Sequence, residues 1–180
     1  YSPMATQASE NFVQQLYVSY YGRPAESEGL QYWADRADDE GQSAIVNAFG
    51  ESQEYQDNFG DQSSQDLISN LYQQMFGRAA EQAGVDYYAD LLDSGESTLA
   101  EIAVDVANGA QNEDAAVFEA RVELADAYTA SVEDYDAEDA KALLQTVDAT
   151  DTQADLDAAL ETLPTQSGGE GETFTLTGDI

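Results

Sequence analysis

The stretch LYVSYYGRPAESEGLQYWAD at residues 16–35 returns as LYQQMFGRAAEQAGVDYYAD at residues 71–90. At a constant offset of 55, ten of the twenty positions are identical, and GQSAI at 41–45 is echoed weakly by GESTL at 95–99. A match of this kind marks a duplicated helix–loop–helix unit, so one packing solution has to serve twice in the chain. Each shared residue has a mechanical reading. Gly22 and Gly77 stand where a helix ends and a left-handed residue is wanted. Glu26 and Glu81 fall in the first turn of the next helix, where a carboxylate meets the positive end of the macrodipole. Gly29 and Gly84 lie inside that helix, where Gly costs about 1 kcal/mol against Ala, and they point to close helix–helix approach. Tyr32-Trp33 and Tyr87-Tyr88 are expected to bury their rings against the preceding helix. Arg23 and Arg78, two of only five cations, are read as tying the loop to a carboxylate or to helix C-terminal carbonyls. An anion or sugar contact is the alternative for both.

The rest of the chain divides by pattern. Residues 1–8 form a short polar N-terminal arm. Residues 9–163 contain a single proline, Pro24, and read as an all-α domain. Its repeat units span about 11–62 and 66–109, with a helical completion over 113–163. Apolar spacing predicts helices near 9–21, 26–37, 64–76, 81–92, 97–108, 113–132, 137–147 and 152–163. Ser43 and Ser52 are placed to cap two more between the repeats. Residues 164–172 read as a Gly-rich linker. TFTLTGDI at 173–180 alternates like a β-strand, and is expected to open a following β-rich region.

Charge removes many functions. With 37 acidic residues against 5 basic ones the net charge is −32, which repels phosphate backbones and argues against nucleic-acid binding. Without His or Cys there is no Cys/His zinc site, no Ser-His-Asp triad and no disulfide. No run of 18 apolar residues offers a membrane span. Acidity of this degree is also the composition of disorder, but 11 Tyr, 6 Phe and 1 Trp are the material of a core. A folded protein whose surface charge needs screening reconciles the two. The Debye length shrinks from about 8 Å at physiological salt to about 3 Å at 1 M, which suits a saline or calcium-rich exterior.

The motif Leu-Tyr-x3-[Tyr/Phe]-Gly-Arg-x5-Gly-[Leu/Val]-x-Tyr-[Trp/Tyr] resembles the repeated domain of unknown function of secreted bacterial RTX-type and S-layer-like proteins. Its loop is similar to that of phycobilisome linker domains. The resemblance covers about residues 11–107. It departs from the usual G-R-x-P-D-x-x-G-L-x-Y-W in having Ala25 and Ala80 for Pro, Glu26 and Glu81 for Asp, and Tyr88 for Trp. It implies a non-catalytic N-terminal module of a larger extracellular protein. Such a module anchors its parent to cell-surface polysaccharide or lipopolysaccharide, often with calcium.

The candidate residues follow from that reading. By helical spacing Tyr17, Tyr20, Tyr21, Tyr32 and Trp33 read chiefly as core, and Tyr21 and Trp33 are the first candidates for a ring left free at a helix end to stack on a sugar face. For Ca²⁺, which wants six to eight oxygens, the densest cluster is Asp134, Asp136, Glu138 and Asp139. It lacks the Gly and closing Glu of an EF-hand loop, and N-capping acids on a solvated surface are the plainer reading. Two other functions remain open. One is a self-assembly unit of a filament or sheet, a homo-oligomer or lattice whose acidic faces are bridged by calcium. The other is an acidic, salt-adapted hydrolase using paired carboxylates.

Overall fold

A computed structural model describes residues 5–165, and all the regular secondary structure among them is helical. The tail 173–180 and most of the Gly-rich linker lie outside the described residues. The first copy of the repeat runs α1 (Gln7–Tyr21), α2 (Ser27–Glu40), α3 (Gln42–Gly50) and α4 (Gln53–Phe59). The second runs α5 (Ser64–Phe76), α6 (Gln82–Ser94) and α7 (Leu99–Asn108), then enters the opening turn of α8 (Asn112–Ser131). Two short helices, α9 (Ala137–Gln145) and α10 (Thr152–Glu161), pack on α8. The repeated unit therefore has four helical positions, two more than the helix–loop–helix that the sequence identity outlines.

Helix α1 is the centre of the molecule. It packs against α2, α3, α5, α7 and α8, and Val13, Gln14, Leu16, Tyr17, Val18, Tyr20 and Tyr21 are all buried. A helix covered on nearly every side needs apolar residues all round, not one stripe. In the second copy α5 takes the matching place against α6, α7 and α8, with Ile68, Leu71 and Met75 fully buried. The start of α1 is fixed from outside. Thr6 caps it by accepting from the Ser9 N–H, while the Thr6 and Ser9 hydroxyls both donate to the Asp38 carboxylate on α2. The N-terminal arm is thus shorter than the pattern suggested.

Other boundaries moved for similar local reasons. Ser52 caps α4 as expected, accepting from the Tyr55 N–H. At α3 the cap position falls on Gly41, not Ser43. Helix α7 begins at a capping box of Thr98 and Glu101, not at Ser97. Val147 lies past the end of α9, yet stays buried.

The two stop glycines do more than end helices. Gly22 and Gly77 adopt left-handed φ of 73° and 68°, which a side chain resists by roughly 1–2 kcal/mol. Their missing Cβ atoms also leave room for a cap delivered by the next structural layer. Gln74 of α5 packs over Gly22, and its Nε2 donates to the carbonyls of Ser19 and Tyr20 at 2.8 and 3.1 Å. Arg121 of α8 packs over Gly77 and donates from Nη1 to the carbonyls of Gln73 and Gln74 at 2.8 and 2.7 Å. Its Nε reaches the Val147 carbonyl at 2.9 Å. Arg121 is only 2% exposed, and burial pulls its guanidinium down to about 10, opposed by Asp148. It remains charged at neutral pH and answers the negative end of α5.

These contacts separate the glycines by substitution. Gly22→Ala and Gly77→Ala are each expected to cost at least about 1–2 kcal/mol, because the new methyl would lie 2.8 Å from Gln74 Cγ or Arg121 Nη2. Gly84→Ala meets only Tyr72 Oη at 3.5 Å and is expected to gain up to about 1 kcal/mol of helix propensity. Gly29→Ala, at 3.1 Å from Tyr17 Oη, gains less or loses. Urea unfolding of the four variants in one salt concentration checks the order.

Candidate functional site

Each loop arginine is a staple built the same way in both copies. From Arg23, Nε and Nη2 grip the Glu54 carboxylate at 3.1 and 2.7 Å. Nη1 reaches the Pro24 carbonyl and Glu26, both at 3.2 Å, and the Tyr135 hydroxyl at 2.8 Å. From Arg78, Nε and Nη2 grip Asp114 at 2.9 and 2.7 Å, and Nη1 reaches the Ala79 carbonyl and Glu81 at 2.8 and 3.3 Å. Glu54 sits in the first turn of α4 and Asp114 in the first turn of α8. Each arginine thus ties the end of the unit's first helix to the start of its fourth, where a carboxylate is already favoured by the helix dipole. The carboxylate alternative of the sequence reading is the one realised. Glu26 and Glu81 are N-cap residues that make no side-chain cap, and serve their arginine instead.

Aromatic rings enclose both staples. The Arg23 guanidinium lies 5.2 Å from the ring centres of both Tyr17 and Tyr21. Arg78 lies 5.5 Å from that of Tyr72 and 5.7 Å from that of Phe76. Burial pushes the Tyr21 and Tyr135 hydroxyls up to about 12, and Tyr17 further still, so these rings stay neutral beside the cation. For Arg23 burial opposes the charge, but the Glu54 hydrogen bonds and the surrounding groups hold it above its ordinary value.

The expected sugar platforms are corrected by this geometry. Tyr21 is 6% exposed, with its hydroxyl 2.9 Å from the Ser52 hydroxyl, and reaches the surface only at the wall of a recess it shares with Phe59, Gln74 and Lys141. Trp33 is partly buried, edge-on to Phe49 at 5.1 Å, with Arg36 over its ring at 5.1 Å. The exposed rings are Tyr32, beside Trp33, and Tyr87, beside Tyr88 in the second copy, at 55% and 61%. The expectation that both members of each aromatic pair are buried therefore fails for one of them. In α2, Leu30, Trp33, Ala34 and Ala37 fall on the face toward the core, which turns Tyr32 outward. The acidic cluster takes the plainer of its two readings. Asp136 caps α9 by accepting from the Asp139 N–H, and Asp134, Glu138 and Asp139 are exposed. Among the described residues no group of three or more acids assembles as a metal-ligand set.

What the fold does assemble is a cleft between the copies. One lobe of about 240 Å³ is lined by Asn11, Phe12, Gln15, Ser19, Gln42 and Asn108, with apolar contributions from Ala8, Leu16, Val104 and Ala107. An adjoining lobe of about 380 Å³ shares Phe12, Gln42 and Val104 and adds Ser43, Asn47, Glu96, Glu101 and Asp105 among others. Helices α1 and α3 come from the first copy and α7 from the second, so neither copy makes the cleft alone. Its chemistry is amides, hydroxyls and carboxylates around one aromatic ring, groups that donate and accept hydrogen bonds in the same small space.

The sequence matches the family described as a domain of unknown function, DUF4214, over residues 3–59 and again over residues 47–116. The chain belongs to the DUF4214 family. No curated protein and no solved structure matches it. The second DUF4214 match ends two residues past Asp114, so it includes the carboxylate that Arg78 holds and agrees with the four-position unit. The Pro-to-Ala departure also has a structural counterpart in the first DUF4214 copy. The Ala25 N–H, which Pro would lack, donates to buried Gln14 at 2.8 Å. Gln14 in turn donates to Thr129, whose hydroxyl donates to the Ala25 carbonyl.

Sequence reasoning missed Gln14, Gln74 and Arg121. For Arg121 a signal was present, because Val117, Phe118, Leu124 and Ala125 surround it at helical spacing and place a cation on a buried face.

The two staples are expected to differ in strength. The Arg23 side chain is 10% exposed and that of Arg78 37%. Arg23→Met strands a partly covered carboxylate and is expected to cost about 3 kcal/mol. Arg78→Met, screened by solvent, is expected to cost about 1 kcal/mol or less. Thermal unfolding of the two variants, each against the parent protein, reads the difference.

Proposed function

We propose that this DUF4214 pair is a non-catalytic module that anchors a larger extracellular bacterial protein, of S-layer-like or RTX type, to polysaccharide or lipopolysaccharide on the cell surface. The observation that carries the reading is the inter-repeat cleft. Planar amides from Asn11, Gln15, Gln42 and Asn108 surround Phe12, and such a set suits a ligand with many hydroxyls and an apolar C–H face. The family resemblance favours the same reading, and the charge of −32 suits a salt-rich exterior where repulsion is screened. Calcium enters as a counterion that offsets repulsion between the acidic protein and an anionic cell surface, while the sugar contacts themselves are made by uncharged groups. The cleft replaces Tyr21 and Trp33 as the place to look for the sugar.

Sedimentation with cells, and with polysaccharide purified from their surface, tests this. The full chain is expected to bind both and to lose cells stripped of glycan. Gln42→Ala with Asn108→Ala, both exposed positions, is expected to weaken binding at least tenfold with unchanged thermal stability. Chelator at constant ionic strength is expected to lower cell binding without lowering the unfolding temperature. Equal binding to stripped and intact cells would contradict the proposal.

A further inference from the structure

The two large apolar side chains that stand exposed among the described residues, Tyr32 and Tyr87, occupy the same position of the two repeats. Core packing does not explain them, because their neighbours Trp33 and Tyr88 already lean on the core. The surroundings repeat too. Three residues on, and so beside the ring on the helix surface, stand Asp35 and Asp90, both exposed. Neither aspartate has a hydrogen-bond or ion-pair partner among the described residues. Each ring is also braced. Tyr32 meets Trp33 edge-on at 5.0 Å, and Tyr87 meets Tyr88 at 5.1 Å.

We infer that Tyr32 with Asp35, and Tyr87 with Asp90, are two equivalent subsites for sugar units of a neutral polysaccharide. The inference rests on the anchoring reading and deepens it by naming the class of glycan and a second contact surface. A tyrosine face accepts the C–H face of a pyranose ring. A free carboxylate has two oxygens and acts only as an acceptor, so it can take two hydroxyl protons from adjacent sugar carbons. Charge decides among occupants. Polyanions and a second copy of a chain carrying −32 are both repelled from these carboxylates, whereas a neutral chain is not. Duplication fits a repeating ligand, since a polymer offers the same unit twice and the second contact forms at high effective concentration. The copies differ in the bracing ring, Trp33 against Tyr88, and in the residue four positions on. Arg36, held by Glu40, lies over the Tyr32 ring at 5.7 Å and donates to its hydroxyl at 3.4 Å, so the opposite face of that ring is the one left for a sugar. Leu91 stands at the matching place beside Tyr87.

Affinity electrophoresis of the full chain in gels containing dextran, mannan or galactan tests the inference, with dextran sulfate as the polyanion and polylysine as the polycation. The parent protein is expected to be retarded by a neutral polymer and not by dextran sulfate. Tyr32→Ala and Tyr87→Ala are each expected to weaken retardation by about two- to tenfold, and the double variant by at least the product. Tyr32→Phe and Tyr87→Phe keep the ring and are expected to retain binding. Trp33, the sole tryptophan, is expected to change its emission as the first subsite fills, and to lose that response in Tyr32→Ala. If the double Ala variant binds as tightly as the parent while Gln42→Ala with Asn108→Ala does not, the inference is wrong and the anchoring reading stands. If no polysaccharide, including that from the cell surface, retards the parent, both fall. Loss of a dimer in the Ala variants, or retardation by polylysine that the Ala variants lose, would assign the tyrosines to a protein partner and overturn the inference.

Discussion

The structure depends on where a very acidic chain places its few cations. Scattered over the surface, five positive charges would neutralise little of 37 negative ones. Instead Arg23 and Arg121 are buried, and Arg78 repeats the work of Arg23 in the second copy. A guanidinium suits this use because its fork grips a carboxylate with two parallel bonds and still has donors left for carbonyls. Arg23 and Arg78 close each four-helix unit from the end of its first helix to the start of its fourth. Arg121 and Gln74 then join successive layers by capping the carbonyl ends of α5 and α1. The surface is left almost wholly anionic, and its repulsion is managed by solvent ions.

The cleft follows from that internal fastening. Its walls belong to α1, α3 and α7, helices from different copies, and they face each other because α1 packs beside α5 and α3 beside α7. A site at the seam of a duplication exists only while both copies are in register. Amides line much of it, and an amide side chain adds hydrogen-bonding capacity without adding to the charge. The same economy shows at Gln14, where a neutral side chain satisfies the backbone of the arginine loop inside the core.

Much of this was legible in the sequence, and particular residues show why the rest was not. The offset of 55 revealed the duplication, and Gly22, Gly77, Arg23 and Arg78 do what their positions implied. Helix α5 falls at the expected residues because Ser63 supplies a cap and Gly77 a stop. What failed was the reading of single rings on α1 and α2. Periodicity puts Tyr21 on the apolar stripe, and because α1 is covered on nearly every side Tyr21 is core and not the free ring for which it was also a candidate. In α2 adjacent aromatics look alike in sequence, while a step of 100° sends Trp33 inward and Tyr32 outward. The cleft was invisible because identity fades after residue 90, where α7 begins to define it. The acids near residue 136 follow the plainer of their two readings, because closeness in sequence does not give convergence in space. Asp136 caps its helix and the others face water.

All of these readings assume that the two copies form one body and not two modules in tandem. Native-state hydrogen exchange across α1 and α5 at several NaCl concentrations measures this most directly. Interior amides from Val13 to Tyr20 and from Leu67 to Met75 are expected to open with the same free energy, rising together as salt screens the surface. If α1 opens at a distinctly lower free energy while α5 stays protected, the copies are independent. The staples, the shared caps and the cleft between them would then not be the basis of the fold.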